Sequence, residues 1–511
     1  MGGAGLTTSW TRAAGVIVSL AMAALAISLG SAVRGSGAAA AGIQPPNFVL
    51  ILVDDQAMNT FKPAYMPRTF HEIVYQGTRF RNGIAAPPLC CPDRAGILTG
   101  QYPHNHGVFS NIPGYPDFRN PQDTLPVWLQ RAGYHTGLVG KYMNHYTDSV
   151  GTAPAPGFDS WFGMMEPFSY YDYDVSNNGK LQHFGDARSD YSTDVFTRQA
   201  TEFLSASSQS TNPFLLYLAY EAPHGHSKSP IPPCRLSAAP PDQASVRAVE
   251  HIPLPRPPSF NERDVSDKPA AIRDLPRLSH GEIEHIENNW HCALAAMGEV
   301  DKEVGLLMQE LKDDGEARNT IVIYTSDNGF FFGEHRLPDE KSDIYEPALN
   351  VPFAVRVPRE YRSGPRVRAS DAVVTNQDIA ATMIAYAGQY LGHRVPTCAG
   401  PGDCRRMDGR SFAPLVGGSG RWPADRGALV EIHSGDHRYH AIRTPRYVYS
   451  KLRTGERELY DLGTDPFELR NQAGARKYKT IQRRLGARLT RLRKCSGIRG
   501  RDAPTARPFC Q

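Results

Sequence analysis

Two uninterrupted apolar runs, each ending in acidic or amide side chains, stand out in the hydrophobic pattern of the chain. The first is NFVLILVDDQ at residues 47–56, and the second is IVIYTSDNGF at residues 321–330. A strand that is buried on both faces of a sheet needs continuous rather than alternating hydrophobicity. The pattern therefore predicts an α/β fold with a large central mixed, mostly parallel sheet that is flanked by helices.

The stretch between these runs contains one clear helical period and one segment without any period. Residues 290–315, WHCALAAMGEVDKEVGLLMQELKDDG, have apolar side chains three and four positions apart and a glycine stop at Gly315. Residues 226–280 are rich in proline, serine and charge and show no sustained period. We predict a core-facing amphipathic helix for the former and an irregular insertion that shapes a substrate site for the latter.

The pattern changes after about residue 395. Short strand-like pieces in ALVEIHSGDHRYHAIRTPRYVYSKL, residues 428–452, precede a helix with Ile481, Leu485, Leu489 and Leu492 on one side and many arginines on the other. These features predict a catalytic domain over residues 46–395 and a smaller C-terminal α+β domain over residues 396–511. We interpret the basic helix face as solvated, with steering of an anionic substrate as the alternative.

The first 41 residues form a segment of their own. Arg12 precedes the apolar run AAGVIVSLAMAALAISLGSA, and the small-residue stretch GSGAAAAG follows it. This order predicts a secretory signal peptide, with an N-terminal membrane anchor as the alternative. Either prediction places the folded part of the protein outside the cytoplasm, as a secreted or membrane-anchored chain.

Composition and cysteine count fit this location. A formal net charge of +4 is small for 511 residues and gives no reason to propose nucleic acid as a partner. Eight cysteines in an oxidising compartment indicate disulfides, although the connectivity cannot be deduced from sequence. The local pairs Cys398–Cys404 and Cys495–Cys510 are reasonable, and Cys234 could bridge to Cys292. These pairings would leave Cys90 and Cys91 as free cysteines.

The polar ends of the two apolar runs are candidate metal ligands. Asp54 and Asp55 follow the first run, and Asp327 and Asn328 follow the second. Ligands of α/β sheets bind beyond the carboxyl ends of the strands, so the two pairs are expected to converge. Calcium and magnesium prefer such oxygen donors, and converging carboxylates repel one another without a cation. We predict one divalent cation, with helix capping or turn formation as the alternative for either pair alone.

Basic side chains follow several of the apolar segments. Candidates of this kind are Lys141, His224, His335 and Lys341. Lysine, arginine and histidine around a divalent cation form a pocket for a tetrahedral oxyanion, because each donates hydrogen bonds and positive charge to sulfate or phosphate oxygens. A single residue of this type would more often be a surface residue, but four in such positions favour a common site.

Motifs along most of the chain resemble the type I sulfatase family of the alkaline phosphatase superfamily. CCPDR at residues 90–94 fits the signature Cys-x-Pro-x-Arg, and AGILTGQYPHNHGV resembles its continuation. LILVDDQ, GLVGKY, TSDNGFFFGEHRLPDEK, DGRSFAPL, IRTPRYVY and ELYDLGTDPFELRNQA are also similar to family motifs and occur in the family's order. The chain looks most like N-acetylglucosamine-6-sulfatases and arylsulfatase-like members. The resemblance implies an alkaline-phosphatase-like sheet and hydrolysis of aryl or carbohydrate sulfate esters.

The resemblance also implies a cofactor and a metal. Cys90 matches the cysteine that a maturation enzyme oxidises to formylglycine (3-oxoalanine), whose hydrate attacks sulfur through one hydroxyl and expels sulfate through the other. A calcium ion, with magnesium as a possibility, would be held by the residues that match its ligands. These are Asp54, Asp55, Cys90, Asp327 and Asn328.

Roles for the remaining site residues follow from motif position. Arg94 would hold the formylglycine hydrate, while Lys141 and Lys341 would contact the sulfate oxygens. Lys341 or His224 would protonate the departing alkoxide, and His335 would remove the proton that triggers sulfate release.

Two positions depart from the family pattern, and two other functions remain open. Asp93 stands where the signature usually has serine, which bears on the conversion of Cys90. Met143 stands where many arylsulfatases have histidine. One alternative is a phosphonate monoester or phosphodiester hydrolase on the same scaffold. The other is an unconverted protein that binds sulfated glycans without cleaving them. A stable membrane partner is not expected.

Overall fold

A ten-stranded mixed sheet organises the larger part of the molecule in a computed structural model. The structure describes residues 1–3, 5, 43–225, 231–234, 237–400, 403–418, 420, 422–434 and 437–511. The strand order is β10-β2-β9-β8-β1-β7-β3-β4-β5-β6. Its strands are β1 (Asn47–Val53), β2 (Thr78–Ile84), β3 (His135–Gly140), β4 (Ser160–Met164), β5 (Tyr173–Asn177), β6 (Lys180–Phe184), β7 (Phe214–Ala219), β8 (Thr320–Ser326), β9 (Phe353–Arg356) and β10 (Ala369–Thr375).

The centre of this sheet is parallel. β1 pairs in parallel with β7 on one side and with β8 on the other, and β3 continues the parallel order beyond β7. β5 and β9 run antiparallel to their neighbours. Every residue of β1, β7 and β8 is buried, as a strand between two helical layers requires. The predicted mixed, mostly parallel α/β sheet is confirmed.

Helices cover both faces of the sheet. Longer helices alternate with helices of a single turn. They are α1 (Pro67–Thr69), α2 (Cys90–Thr99), α3 (Pro103–His106), α4 (Leu125–Arg131), α5 (Tyr146–Val150), α6 (Ser192–Ser208), α7 (Gln243–Val249), α8 (Ala270–Arg273), α9 (His280–Asp313), α10 (Glu346–Leu349), α11 (Asp378–Leu391), α12 (Ala413–Val416) and α13 (Lys479–Leu492). Two apolar cores form, with α2, α4 and α11 on one face of the sheet and α6 and α9 on the other.

Helix α9 confirms the predicted helical period but begins ten residues before it. Its first turns are mostly polar, but Ile286 is buried and Ile283 packs beside it, at helical spacing from Trp290. Ser279 caps the helix, because its hydroxyl accepts from the backbone N–H of Glu282 while the Glu282 carboxylate accepts from the backbone N–H of Ser279. This capping box satisfies two backbone donors at the helix start.

A small antiparallel sheet forms the C-terminal region. Its four strands pair in sequence order with α13 against one face, and a two-stranded ribbon precedes them. The ribbon is β11 (Cys398–Gly400) and β12 (Asp403–Cys404); the sheet is β13 (Ala428–Ser434), β14 (His437–Arg443), β15 (Tyr447–Leu452) and β16 (Arg457–Asp461). The predicted α+β elements are therefore present. Residues Pro45–Gln511 form one compact unit, and a domain boundary near residue 395 stays a prediction.

Three further predictions can be compared with the structure. Disulfides join Cys234 to Cys292, Cys398 to Cys404 and Cys495 to Cys510, while Cys90 and Cys91 are free and buried. The described part of the 226–280 insertion is irregular apart from α7 and α8. The signal peptide or anchor over residues 1–41 lies outside the described residues except for positions 1–3 and 5. Of the helices that are described, none combines the length and apolarity needed to cross a membrane.

Candidate active site

Four adjacent parallel strands end at one edge of the large sheet, and charged side chains follow each of them. Asp54 follows β1 directly, Asp327 follows β8, Lys141 follows β3, and Glu221 comes two residues after β7. All four side chains are buried. The parallel order β8-β1-β7-β3 therefore brings acids and a lysine together, as expected at the carboxyl edge of an α/β sheet.

A fully buried arginine connects two of these carboxylates. Arg94, on α2, donates from Nη2 to Asp54 Oδ2 at 2.9 Å and from Nε to Asp327 Oδ2 at 2.8 Å. Its Nη1 donates to the backbone oxygen of Lys141 at 2.9 Å. Burial opposes the charge on Arg94, but the two carboxylates outweigh it and raise the pKa of the guanidinium above its ordinary value. Arg94 is therefore a fixed positive charge at the base of the site.

Cys90 is the first residue of α2 and points into the same cluster. Its Sγ lies 3.4 Å from Asp54 Oδ1 and accepts a hydrogen bond from Lys341 Nζ at 3.2 Å. Burial, reinforced by Asp54, raises the pKa of the Cys90 thiol well above its ordinary value. The second cysteine points elsewhere, because Cys91 Sγ lies 3.9 Å from the backbone oxygen of Asn144. Cys90 is thus a neutral thiol at neutral pH.

Asp55 is the carboxylate on the cavity side of the cluster. Lys341 Nζ donates to Asp55 Oδ1 at 2.6 Å and to Oδ2 at 2.8 Å, and the Asn328 amide donates to Oδ1 at 2.5 Å. The Asn328 Oδ1 atom is buried and has no hydrogen-bond partner among the described residues. Asp55 has a positive φ of 66°, which aspartate tolerates better than most residues. The turn after β1 thereby directs Asp54 and Asp55 into one site.

Lys141 lies between the carboxylates of Asp54 and Glu221. Its Nζ lies 2.5 Å from Asp54 Oδ2 and 3.2 Å from Glu221 Oε2. On the other side of Glu221, Oε1 lies 3.3 Å from His224 Nδ1, and His224 Nε2 lies 3.7 Å from Asp55 Oδ2. Glu221 therefore connects the lysine with the histidine, and Asp54, Asp55, Cys90 and His224 lie close enough together to hold one metal ion.

Burial and neighbouring charges shift the pKa values of individual acids in the site in opposite directions, and the same is true of its bases. Burial alone would raise the pKa of Asp54, but the four surrounding basic side chains outweigh it and hold this pKa well below its ordinary value. Burial and repulsion from Asp54 raise the pKa of Asp327 to about 6. Burial, together with the two nearby lysines, lowers the pKa of His224 to about 4. Burial would lower the pKa of Lys341, but Asp55 raises it well above its ordinary value, so Lys341 is protonated and His224 neutral at pH 7.

His335 lies beside this cluster with partners of its own. Its Nδ1 lies 2.6 Å from Glu262 Oε2, and its ring stacks on Tyr345 with centroids 4.1 Å apart. Burial lowers the pKa of His335, although Glu262 opposes the shift. The side chain lines a cavity of about 610 Å³ together with Phe330 and Glu334. The structure thus brings together all the predicted site residues except His335.

Asp93 supports the loop before α2. Its Oδ1 accepts from the backbone N–H of Ala86 at 3.2 Å, and its Oδ2 accepts from the Asn376 amide at 2.6 Å. Burial raises the pKa of Asp93 well above its ordinary value, although the Asn376 hydrogen bond opposes the shift. The residue that departs from the family signature is therefore part of the packing beneath Cys90.

A cavity of about 320 Å³ opens onto the cluster. Its lining includes the charged or titratable side chains of Asp55, His224, Asp339 and Lys341 and the apolar side chains of Ala238, Phe330 and Phe332. Asp55 is thus the metal-ligand candidate that reaches the cavity, and Lys341 and His224 reach it as well. Such an arrangement can bind a tetrahedral oxyanion and leave the attached alcohol in contact with aromatic side chains.

Glu221 is the site residue that the sequence argument did not include. It lies near the end of FLLYLAYEA, the apolar run that pointed to His224, two residues beyond the last residue of β7. The rule that singled out Asp54 and Asp327, an acid just beyond a buried strand, would have found it.

Comparisons with known proteins identify the family of the chain. A model of the sulfatase family matches residues 46–389, and a model of the C-terminal region of N-sulphoglucosamine sulphohydrolase matches residues 333–495. An N-acetylglucosamine-6-sulfatase of Capra hircus is 32% identical over 78% of this chain and 68% of its own length. An extracellular sulfatase SULF-1 homologue of Drosophila melanogaster is 32% identical over 73% of this chain. The chain spans only 31% of the length of the Drosophila protein.

A solved structure extends the comparison to three dimensions. It is BT4656 in complex with its substrate D-glucosamine-2-N,6-O-disulfate, and it superimposes with a TM-score of 0.71 at 25% sequence identity. The superposition covers 88% of this chain and 97% of the other.

Proposed function

Because the chain belongs to the sulfatase family, we propose that it hydrolyses sulfate esters at the cluster around Cys90. The observation that supports this most directly is the position of the Cys90 side chain. Its Sγ lies 3.4 Å from a carboxylate oxygen of Asp54 and 3.2 Å from the ammonium of Lys341. A group at this position would meet the sulfur atom of an ester whose oxygens are held by cations.

A calcium ion fits the acidic part of the site, and magnesium remains possible. Three carboxylates converge within a buried space, and Asn328 offers a buried oxygen that has no hydrogen-bond partner among the described residues. Oxygen donors of this kind suit a hard divalent cation. The ion would be held by Asp54, Asp55, Asp327 and Asn328, with residue 90 beside them. When bound, it would supply positive charge that polarises the sulfate oxygens.

A formylglycine derived from Cys90 also fits the site. The thiol is free and buried, it begins a buried helix, and it contacts both Asp54 and Lys341. As an aldehyde hydrate, this group would supply a nucleophilic hydroxyl and a second hydroxyl for release of sulfate. A maturation enzyme would have to supply the oxidation.

The surrounding side chains then have separate tasks. Arg94 holds the Asp54 and Asp327 carboxylates in place, and its charge offsets theirs. Lys141 and Lys341 offer ammonium groups to the sulfate oxygens. Lys341 lies on the cavity side and is protonated at pH 7, so it serves as the proton donor to the departing alkoxide. The neighbouring His224 is neutral at this pH. Removal of the proton that triggers sulfate release stays the role predicted for His335, whose Nδ1 lies beside the Glu262 carboxylate.

The substrate class we propose is a carbohydrate sulfate. The relatives include an N-acetylglucosamine-6-sulfatase, and the solved neighbour carries a sulfated glucosamine as its substrate. Phe330, which lines the cavity and is only partly buried, offers an aromatic surface on which a sugar ring can pack. Aryl sulfates offer a similar ring and are suitable assay substrates.

We infer that the protein acts outside the cytoplasm. Three disulfides indicate an oxidising compartment, and an extracellular sulfatase is among its relatives. The predicted signal sequence agrees with this location.

Mass spectrometry and kinetics test the proposal together. The protein is produced with and without a co-expressed formylglycine-generating enzyme, and the peptide that contains residue 90 is analysed for loss of sulfur. We expect the aldehyde and turnover of an aryl sulfate to appear together, and Cys90→Ala to abolish turnover without unfolding the chain. Turnover by Cys90→Ala, or preferential cleavage of a matched aryl phosphonate, would contradict the proposal. An aldehyde-bearing protein that only binds sulfated glycans would contradict it equally.

A further inference from the structure

A second concave surface lies in the C-terminal region, between α13 and the outer strands of the small sheet. We call it the basic groove. Its volume is about 770 Å³, compared with about 320 Å³ for the cavity at Cys90. Its lining is Tyr449, Lys451, Arg457, Gly474, Arg476, Lys479, Gln482, Arg483, Gly486, Ala487 and Thr490. Five of these residues are lysine or arginine, and the lining includes no carboxylate.

The positive charges of the basic groove are not neutralised by the protein. The five lysine and arginine side chains form no ion pair with a carboxylate within the described part of the chain. Other arginines of the same region do form such pairs: Arg446 lies 2.7 Å from Asp461, and Arg488 lies 3.5 Å from Asp425. The groove is therefore a local concentration of uncompensated charge within a protein whose net charge is only +4.

Local geometry places like charges next to one another in the groove. Lys451 on β15 stands directly opposite Arg457 on β16, and like charges in that relation repel. Lys479 and Arg483 are four residues apart on α13, which puts them on the same helix face, where like charges also repel. Lys479 is the first residue of α13, and a cation at a helix N-terminus opposes the helix dipole. An anion bound in the groove would relieve all three repulsions.

The groove is large enough for a ligand of several rings. Its volume of about 770 Å³ is within the range typical of ligand-binding clefts. Gly486 lies in its lining between α13 and the sheet, and a Cβ there would make ordinary contacts, 3.6 Å from the Tyr449 ring and 3.8 Å from Lys451 Nζ.

The groove and the active site lie on opposite faces of the small sheet. Tyr449 and Leu459 point toward α13, whereas Val448 and Tyr460 pack in the core that contains Ile344 and Tyr345. A ligand in the groove would therefore be held away from Cys90 by the thickness of the sheet. Such a site can anchor a polymer, but it cannot present the same sugar unit to the catalytic cluster.

We propose that the basic groove binds a sulfated polysaccharide and anchors polymeric substrate to the protein. The existence of an anion site follows from the groove itself, while the choice of a sulfated chain rests on the proposed function. The lining also disfavours single-stranded nucleic acid: Tyr449, its one aromatic residue among those described, is 1% exposed and offers no surface for base stacking.

A matched pair of variants on one helix tests the proposal. Lys479→Ser with Arg483→Ser removes two charges from the groove. Arg484→Ser with Arg491→Ser removes two charges from α13 at exposed positions outside the lining. Both pairs are made in the full chain carrying Cys90→Ala, so that no substrate is cleaved. Binding of a size-defined heparin oligosaccharide is measured by calorimetry, with phosphatidylserine vesicles and single-stranded DNA as further probes.

We expect the groove pair to weaken heparin binding roughly fivefold to tenfold, since each exposed ion pair that is lost changes the dissociation constant by a few fold. The control pair should change it by less than about twofold. Equal losses in both pairs, or no loss in the groove pair, would overturn the proposal. Stronger effects of the groove pair on DNA or vesicle binding than on heparin binding would overturn it as well.

The test remains separate from that of the proposed function. With Cys90 restored, both variant pairs should cleave a small aryl sulfate at the unmodified rate, and only the groove pair should show a raised KM on a sulfated polymer. Binding without turnover by the unmodified chain would contradict the proposed function and leave the groove intact.

Discussion

The cluster around Cys90 and the basic groove both contain lysine and arginine, but these side chains are buried in the cluster and mostly exposed in the groove. Arg94 and Lys141 are buried, and each lies within 3 Å of a carboxylate oxygen. Arg457 and Arg483 are exposed and form no ion pair among the described residues. The positive charges in the cluster are paired with buried carboxylates, whereas the positive charges in the groove can interact with a ligand or with salt ions. The two roles we propose for lysine and arginine in this protein therefore differ in burial and partners rather than in residue type.

The largest expected difference between the two regions is in stability. Arg94→Met leaves Asp54 and Asp327 buried without their guanidinium, which should lower the free energy of unfolding by about 3–5 kcal/mol in metal-free buffer. Arg483→Ser removes an exposed cation and should change it by less than about 0.5 kcal/mol. Urea denaturation with a chelator present measures both values. Similar losses in the two variants would mean that the cluster is not held together by its ion pairs.

Calcium should stabilise the protein by binding at the cluster around Cys90 and not in the basic groove. At a free concentration a hundredfold above its dissociation constant, one bound ion should raise the free energy of unfolding by about 2.7 kcal/mol. Asp327→Asn should weaken this response, because a converging carboxylate is lost, while the Lys479→Ser, Arg483→Ser pair should keep it. Thermal unfolding with calcium and after chelation gives the comparison. An undiminished response in Asp327→Asn would exclude this residue as a ligand.

Replacement of Glu221 should lower activity without a general effect of losing a buried acid. Glu221→Gln removes the negative charge between Lys141 and His224, so we expect kcat/KM for an aryl sulfate to fall roughly tenfold, or about 1.4 kcal/mol in activation free energy. Glu458→Gln is the matched control, because Glu458 is a buried acid that accepts hydrogen bonds from Tyr345 and Tyr460 away from the cluster. Steady-state kinetics should show no effect of that change. An equal fall in both variants would mean that buried acids act here only through the fold.

Salt should produce the smallest difference, and only at the groove. Exposed charges are screened over a Debye length of about 10 Å at 0.1 M ionic strength, whereas buried pairs are screened much less. We therefore expect added sodium chloride to weaken heparin binding by a few fold while leaving kcat for a small aryl sulfate within about twofold. Titration of heparin binding and turnover over the same salt series measures both. If kcat fell in parallel with binding, the cluster would be as open to solvent as the groove.

The fold could be predicted from sequence where burial leaves a simple pattern. β1 and β8 are buried on both faces, so their continuous apolar runs gave both the strands and the position of the acids that follow. The start of α9 was missed although Ile283 and Ile286 continue its apolar period, because these two residues stand among polar ones that mask the pattern. The irregular insertion has no repeating contact with a core and therefore no period from which α7 and α8 could be inferred.

The site was predictable where the chain direction alone decides where a side chain goes. Asp54, Asp327 and Lys141 follow parallel strands directly, so their convergence needs no further information. His335 is different, because it lies in a loop where it and Arg336 both have positive φ values. Its ring turns toward Glu262, a residue 73 positions earlier, and no local pattern predicts a contact of that range.

The burial of Cys90 has a consequence for the order of events in the cell. The side chain is fully enclosed, as are Asp93 and Arg94, which belong to the same signature. An enzyme that modifies this thiol must reach it before α2 docks onto the sheet, so modification and folding compete in time. A variant that folds faster would leave a larger share of inactive molecules, and one that folds slowly would allow more of them to be converted. If Cys90 is converted as we propose, the yield of active protein would depend on kinetics during synthesis rather than on the stability of the finished molecule.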